Sequence, residues 1–293
     1  MADTLTTQIA ETVQEIITST IMLLPQKAPM PGLVTRYNIP KGHDRVEIPR
    51  VNSTFTVQTP TEGDELVNSS QLDLTSTTIQ PTHRAIMVRV HERPTYFSKD
   101  DIIGMVSELM AIEQARDIDT DLTAEFANIS TSTQSTTNVA LTLATLRTSV
   151  RTLYSNAYSS GGPAPSPMYC VIAPQPEEDL LTNIGLQGVV SSTAPWIPDG
   201  LSSDLMSRWG VPGGQLLGVP IFRDGYMTVD ASGDFTCAMY SKQQLWLAVS
   251  KDWDVKTFEV PNWIGVIVRS VADYNSGLGA YSGWAVKFLA DGD

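Results

Sequence analysis

Residues 82–122 read THRAIMVRVHERPTYFSKDDIIGMVSELMAIEQARDIDTDL, and their pattern changes midway. HRAIMVRVHE alternates with a period of two and is rich in Val and Ile, the mark of a strand. Beyond it Ile102, Val106, Leu109, Met110, Ile118, Leu122 and Phe126 recur at helical spacing. Ser98 is placed to cap the first turn, and Asp100 and Asp101 complement the positive end of the helix dipole. The spacing predicts a helix over 98–128, about 45 Å long at 1.5 Å per residue and so able to cross a whole domain. Val106, Leu109 and Met110 are expected to pack beneath a sheet. A strand feeding such a helix decides the fold.

Upstream, residues 44–92 are β-like throughout, as in RVEIPRV, TFTVQT and LDLTSTTIQP. Between them TPTEGDELVNSS carries Pro60, Gly63 and Asn68 with Glu62, Asp64 and Glu65, a composition suited to a hairpin tip. Polar residues occupy both faces of most of this stretch. Such a hairpin cannot form its own core, so it is expected to project and be steadied by another surface. Further back, Leu5, Ile9, Val13, Ile16 and Ile17 make a one-sided apolar stripe, predicting an amphipathic helix over 5–23 that needs a partner. Pro and Gly in LLPQKAPMPG end it, and residues 24–43 are expected to be an extended arm.

Downstream, a second helix is predicted over 138–158, and SSGGPAPSP (159–167) marks the clearest boundary. Then come a strand, MYCVIA, a helix opened by PEEDLL with Pro176 at its start, and a short helix near SSDLMSRW. The C-terminal third is β, from LLGVPIFRD to GWAVKFLAD. Helices and strands are segregated in blocks, which favours α+β.

The 293 residues are 42% hydrophobic and 17% charged, enough to bury a sizeable core. With 19 Lys+Arg against 32 Asp+Glu the net charge is −13, the wrong sign for tight phosphate binding. No apolar run reaches membrane length, and MADTLTTQIAETVQ lacks the basic region of a signal peptide, so synthesis in the cytosol is expected. Cys170 and Cys237 lie in apolar runs and are expected to be inert core thiols. His43, His83 and His91 have no metal-ligand spacing. The run Asp117, Asp119, Asp121 has Leu122 where a calcium loop needs Gly and Asn128 where it needs Glu, and is expected to be a solvated helix face. GVPGGQLLG and SGLGAYSGW lack the Lys-Ser/Thr of a phosphate loop and read as turns. Glu177 and Glu178 open a helix, where dipole complementarity explains them. The six tryptophans all fall in the C-terminal part, as core or subunit-contact residues. No catalytic, cofactor or metal constellation is predicted.

The order of elements resembles the major capsid protein of tailed bacteriophages of the Hong Kong 97 type, over essentially the whole chain. The telling stretches are residues 82–122, similar to the strand leading into the family's spine helix, and GVPIFRDGYMTVDASGDFTCAMYSKQQLWLAVSKD, similar to its G-x-P strand, variable loop, G-D-F and hairpin. MYCVIAPQPEEDLL resembles the opening of the axial domain. The resemblance implies an α+β fold with an N-terminal helix and arm (1–43) and an extended β-hairpin loop (44–82). A peripheral domain (83–160) with spine helix 98–128, an axial domain (161–249) and a C-terminal β segment (250–293) returning to the peripheral domain complete it.

It also implies a non-enzymatic virion protein without cofactors, assembled in the host cytoplasm into pentamers and hexamers of an icosahedral or prolate shell. The shell encloses double-stranded DNA without binding it specifically, and no membrane is involved. No large helical stretch precedes Asp44, which implies a separate scaffolding protein or none, beside a portal and a decoration protein. The loop tip, Thr59 to Ser70, has no Lys for a covalent cross-link of the kind the type member forms. In the family this loop lies across the neighbouring peripheral domain. Glu62, Asp64 and Glu65 are therefore expected to meet Arg84, Arg89 and Arg93 of a neighbour. An encapsulin-like nanocompartment shell shares the fold and is the alternative; an unrecognised enzyme is the reading from a different class.

Overall fold

The computed structural model describes residues 29–51, 57, 59, 72–91, 102–156, 161–180, 215–216, 218–227, 229–259 and 265–292. The predicted helix over 5–23, Ser98 with its capping turn, the short helix near 202–209, and Trp196, Trp209 and Trp263 lie outside them. Strands β1 (Thr35–Asn38), β2 (Val46–Val51), β3 (Leu74–Ile79) and β4 (Thr82–His91) come first. Helix α1 (Ile102–Ala124) runs into a 3-10 turn, Glu125–Asn128. After β5 (Ser132–Gln134) and α2 (Leu143–Tyr154) come β6 (Met168–Ile172), helical residues 174–180, β7 (Gln215–Leu216) and β8 (Val219–Arg223). The chain closes with β9 (Phe235–Ser241), β10 (Leu245–Glu259), β11 (Gly265–Leu278) and β12 (Ala285–Ala290).

These strands form a four-stranded sheet, β1-β10-β11-β4, a six-stranded sheet, β5-β12-β9-β6-β8-β7, and a two-stranded ribbon, β2-β3. Helices and mixed sheets together make the α+β architecture. One continuous core joins both larger sheets: Ile118, Leu122 and Phe126 of α1 and its extension meet Leu146 and Leu153 of α2, Cys170 and Ile172 of β6, Cys237 and Met239 of β9, and Leu247 of β10. A fully buried Leu or Phe contributes about 1.5–3 kcal/mol. Thr142 starts α2 by accepting the Thr145 N–H at 3.3 Å, and Arg151 sits in the last turn, where a cation complements the dipole. Pro174 opens helical residues 174–180, so Pro176 falls two residues in, still among the N–H groups that have no helical acceptor.

Two stretches differ from expectation in an instructive way. The predicted arm is docked from Met30 onward: Met30, Leu33 and Val34 are buried in the main core, and β1 pairs in parallel with Trp246 to Val249 of β10. The C-terminal segment is shared between sheets. Strand β11 pairs along β4 from Thr82 to His91, whereas β12 pairs with Phe235 to Tyr240 of β9.

Candidate intersubunit surface

Alternation along β4 divides its side chains between two faces. Ile86 and Val88 turn inward, Val88 packing with Val106 and Met110 of α1 and with Val255 and Val268 of the neighbouring strands. Gln114 of α1 donates to Ser270 Oγ at 2.8 Å on the same face. Arg84 shares it. Its guanidinium reaches Asp121 Oδ1 at 2.8 Å and Asp117 Oδ1 at 3.3 Å, and its Cζ lies 5.6 Å from the centre of the Tyr274 ring. Burial alone would lower its pKa; Asp121 and then Asp117 outweigh that and raise it. The Tyr274 hydroxyl donates to Asp117 Oδ2, and burial together with that bond pushes its pKa up.

Asp117, Asp119 and Asp121 are therefore not a solvated face. Asp117 and Asp121 are engaged by Arg84, and Asp121 also accepts the Ser276 N–H at 3.1 Å, while Asp119 is fully buried. Arg84 supplies the charge that lets an acidic helix face lie against a sheet.

Arg89 is an odd number of residues away and stands on the other, exposed face of β4. The register places Ile267 and Phe258 beside it, and Arg269 and Lys256 beside Met87. Met87 is 56% exposed and Phe258 42%, with the Arg269 Cζ over the Phe258 ring at 4.8 Å. Three cations, of which Lys256 also pairs with Asp254 at 3.2 Å, interleaved with two open apolar side chains form a surface that can receive an acidic, partly apolar segment. Of the residues singled out from sequence, Arg84 and Arg89 are thus on opposite faces. Glu62, Asp64, Glu65 and Arg93 lie outside the described residues. Parity along β4 was the sign that could have separated the two arginines, and the strand partners Phe258, Arg269 and Lys256 could not be found before β10 and β11 were paired.

A second open patch lies on α1. Met105 is 50% and Leu109 61% exposed, while Met110 is 1%. The expectation that Leu109 packs beneath the sheet is overturned: Val106 and Met110, one turn apart, face it, and Leu109 is rotated about 100° from Met110.

Elsewhere, Cys170 and Cys237 are fully buried. Among the described residues no group of three or more His, Cys, Asp or Glu is placed to hold a metal ion, and no helix is long and apolar enough to cross a membrane. Glu177 is buried and accepts Arg223 Nε at 2.6 Å, a stronger tie than dipole complementarity alone. His83 pairs with Asp273 across β4 and β11 at 2.5 Å.

No protein-family model and no curated protein matches the chain. Solved structures do. A chain of Mycobacterium phage Che8 superposes with a TM-score of 0.67 at 15% identity, covering 89% of this chain and 90% of that one. The head structure of Helicobacter pylori bacteriophage KHP40 gives 0.64 at 11% identity, covering 91% of each. The encapsulin of Synechococcus elongatus gives 0.59 at 11% identity, over 92% of this chain and 89% of that one. The chain has the fold shared by tailed-phage capsid structures and an encapsulin, the Hong Kong 97-like fold.

Proposed function

We propose that this chain is the major capsid protein of a tailed bacteriophage, assembling into pentamers and hexamers of an icosahedral or prolate head around double-stranded DNA. The observation that carries this reading is the match over about nine tenths of both chains to the KHP40 phage head. The matched fold takes in 91% of this chain. Open apolar side chains on both α1 and the four-stranded sheet suit a subunit whose remaining burial comes from neighbours by heterologous contacts around five- and six-fold axes. A net charge of −13 suits a container whose wall does not hold the genome by its phosphates.

Within that role, residues 44–82 form the extended loop, 83–160 with 250–278 the peripheral domain, and 161–249 the axial domain, whose strand β9 is joined by β12. The tip, with Glu62, Asp64 and Glu65, reaches the outer sheet face of a neighbour, where Arg89, Arg269 and Lys256 receive it together with Arg93. Arg84 serves its own subunit. Scaffolding, portal and decoration proteins are separate chains, assembly takes place in the host cytoplasm, and the protein performs no catalysis.

Electron microscopy of the chain, expressed alone and with its genomic neighbours, tests the reading. Closed shells or capsomers are expected; a monodisperse monomer at every salt concentration and with every neighbour would overturn it. The encapsulin match favours a second reading, a shell around protein cargo. Shells that co-purify with an enzyme and never with a portal would establish that one instead.

A further inference from the structure

Three buried side chains carry polar atoms without partners: one on α1, one just after β8 and one on β9, elements whose apolar residues share the main core. Asp119 of α1 is 0% exposed, and neither carboxylate oxygen closes a hydrogen bond. Asp224, directly after β8, is 1% exposed; its Oδ1 accepts the Tyr226 N–H at 2.8 Å and its Oδ2 has no partner. The Tyr240 hydroxyl of β9 is also unpaired, in a side chain 1% exposed and stacked 5.7 Å from the Phe126 ring. Among the described residues no Lys, Arg or His pairs with Asp119 or Asp224: Arg84 is held by Asp117 and Asp121, and Arg223, next to Asp224 in the chain, by Glu177. With both acids ionised the cluster presents three lone carboxylate oxygens and a single O–H hydrogen. Burying an unpaired carboxylate costs more than an ordinary fold can spare, and one added proton both removes a charge and supplies the missing donor.

We propose that Asp119, Asp224 and Tyr240 form a proton-binding joint between α1 and the six-stranded sheet, closed while Asp119 is protonated and loosened when the proton leaves. This goes beyond the shell reading and does not depend on it, because it concerns the folded chain alone. Burial and then the Asp224 charge push the Asp119 carboxyl up from 3.8 to about 8, the Met30 backbone N–H opposing them in part. Burial also raises Asp224, against the Tyr226 N–H. The Tyr240 hydroxyl is raised by burial, then by Cys170, Asp224, Tyr169 and Asp119, so it stays protonated and is no competitor for the charge. Because the folded chain binds the Asp119 proton more tightly than the unfolded chain, the joint is fully stabilising below the unfolded value of 3.8 and loses its contribution as pH rises to about 8.

Thermal unfolding of the full chain, unassembled, measured from about pH 5 to about pH 9 decides the matter. Wild-type protein should lose melting temperature up to about pH 8 and then level off. Asp119→Asn, a neutral side chain of the protonated acid's size, should be flat over that window and should melt above wild type at its alkaline end. Asp224→Asn removes the neighbouring charge, so its levelling should come at lower pH than in wild type. A wild-type slope retained in Asp119→Asn, or levelling unmoved in Asp224→Asn, overturns the proposal. Should Asp119→Asn not fold, the Asp224→Asn profile decides alone, by the same criterion. Because the assay reads the unassembled chain, its outcome is independent of whether shells form.

Discussion

Arg84 is clasped by two carboxylates of α1 and covered by Tyr274, so its loss is felt within one subunit. Arg84→Ala leaves Asp121, only 18% exposed at its side chain, without its cation, and should cost about 1–3 kcal/mol after allowing for partial solvent screening. Arg89→Ala removes an exposed group and should stay within about 0.5 kcal/mol. Urea unfolding of the unassembled chain compares the two directly; equal losses would mean that the faces of β4 are wrongly assigned. A parallel contrast holds on α1, where Met110→Ala should cost about 2–5 kcal/mol through a cavity while Leu109→Ala leaves the monomer's stability within about 0.5 kcal/mol and lowers shell yield. Helical spacing told that 106, 109 and 110 belong to a helix. It could not orient that helix, because apolar residues run around more than one side and only the position of the sheet chooses between them. The acidic run misled for a related reason: its countercharge, Arg84, is 33 residues away from Asp117 and becomes its neighbour only in the fold.

At the scale of elements, the β2-β3 ribbon shows how a mostly polar hairpin is held. Val46, Ile48 and Ile79 are its buried residues, and they pack with Ile39 and Ala248 at the edge of the four-stranded sheet. Gly277 of β11 admits Ile79: a Cβ there would lie 2.7 Å from Ile79 Cγ1 and Cδ1. Gly277→Val should push the ribbon off the sheet, exposing residues 44–82 to faster proteolysis while the melting temperature of the main core changes little. Unchanged cleavage would show that Ile79 simply rotates away. The sequence placed β2, β3 and β4 well, because alternation with a β-branched bias is a local property. It took the SGLGAYSGW glycines for turns, and Gly277 belongs to a strand instead. A glycine needed for close approach of a neighbour looks in sequence like one needed for a bend. The docking of β1 was equally illegible, since TRYN carries no sign of a parallel partner more than 200 residues later.

At the scale of the molecule, the order of elements was legible while the contacts between copies were not, because a subunit's neighbours leave no period in its sequence. The stretch that carries Glu62, Asp64 and Glu65 is mostly polar in sequence, and the outer sheet face carries Arg89, Arg269 and Lys256, the last also paired with Asp254 at 3.2 Å, beside Met87 and Phe258. An exposed ion pair contributes about 0.2–1 kcal/mol, more where an arginine is desolvated and bidentate, and repetition around a shell multiplies the low figure. Glu62→Lys with Asp64→Lys should therefore leave the unassembled chain folded and reduce shell yield, and raising salt should weaken wild-type shells in the same direction. Arg89→Glu should lower yield as the tip reversal does, and combining it with that reversal should recover part of the loss, since opposite charges again face each other. Shell yield by electron microscopy and sedimentation, with circular dichroism as the control for folding, measures all four proteins. Normal yield from the tip reversal with an unchanged dichroism spectrum would mean that the tip carries no intersubunit contact. Loss of yield without recovery in the combined variant would place the tip's partner on a face other than that of Arg89.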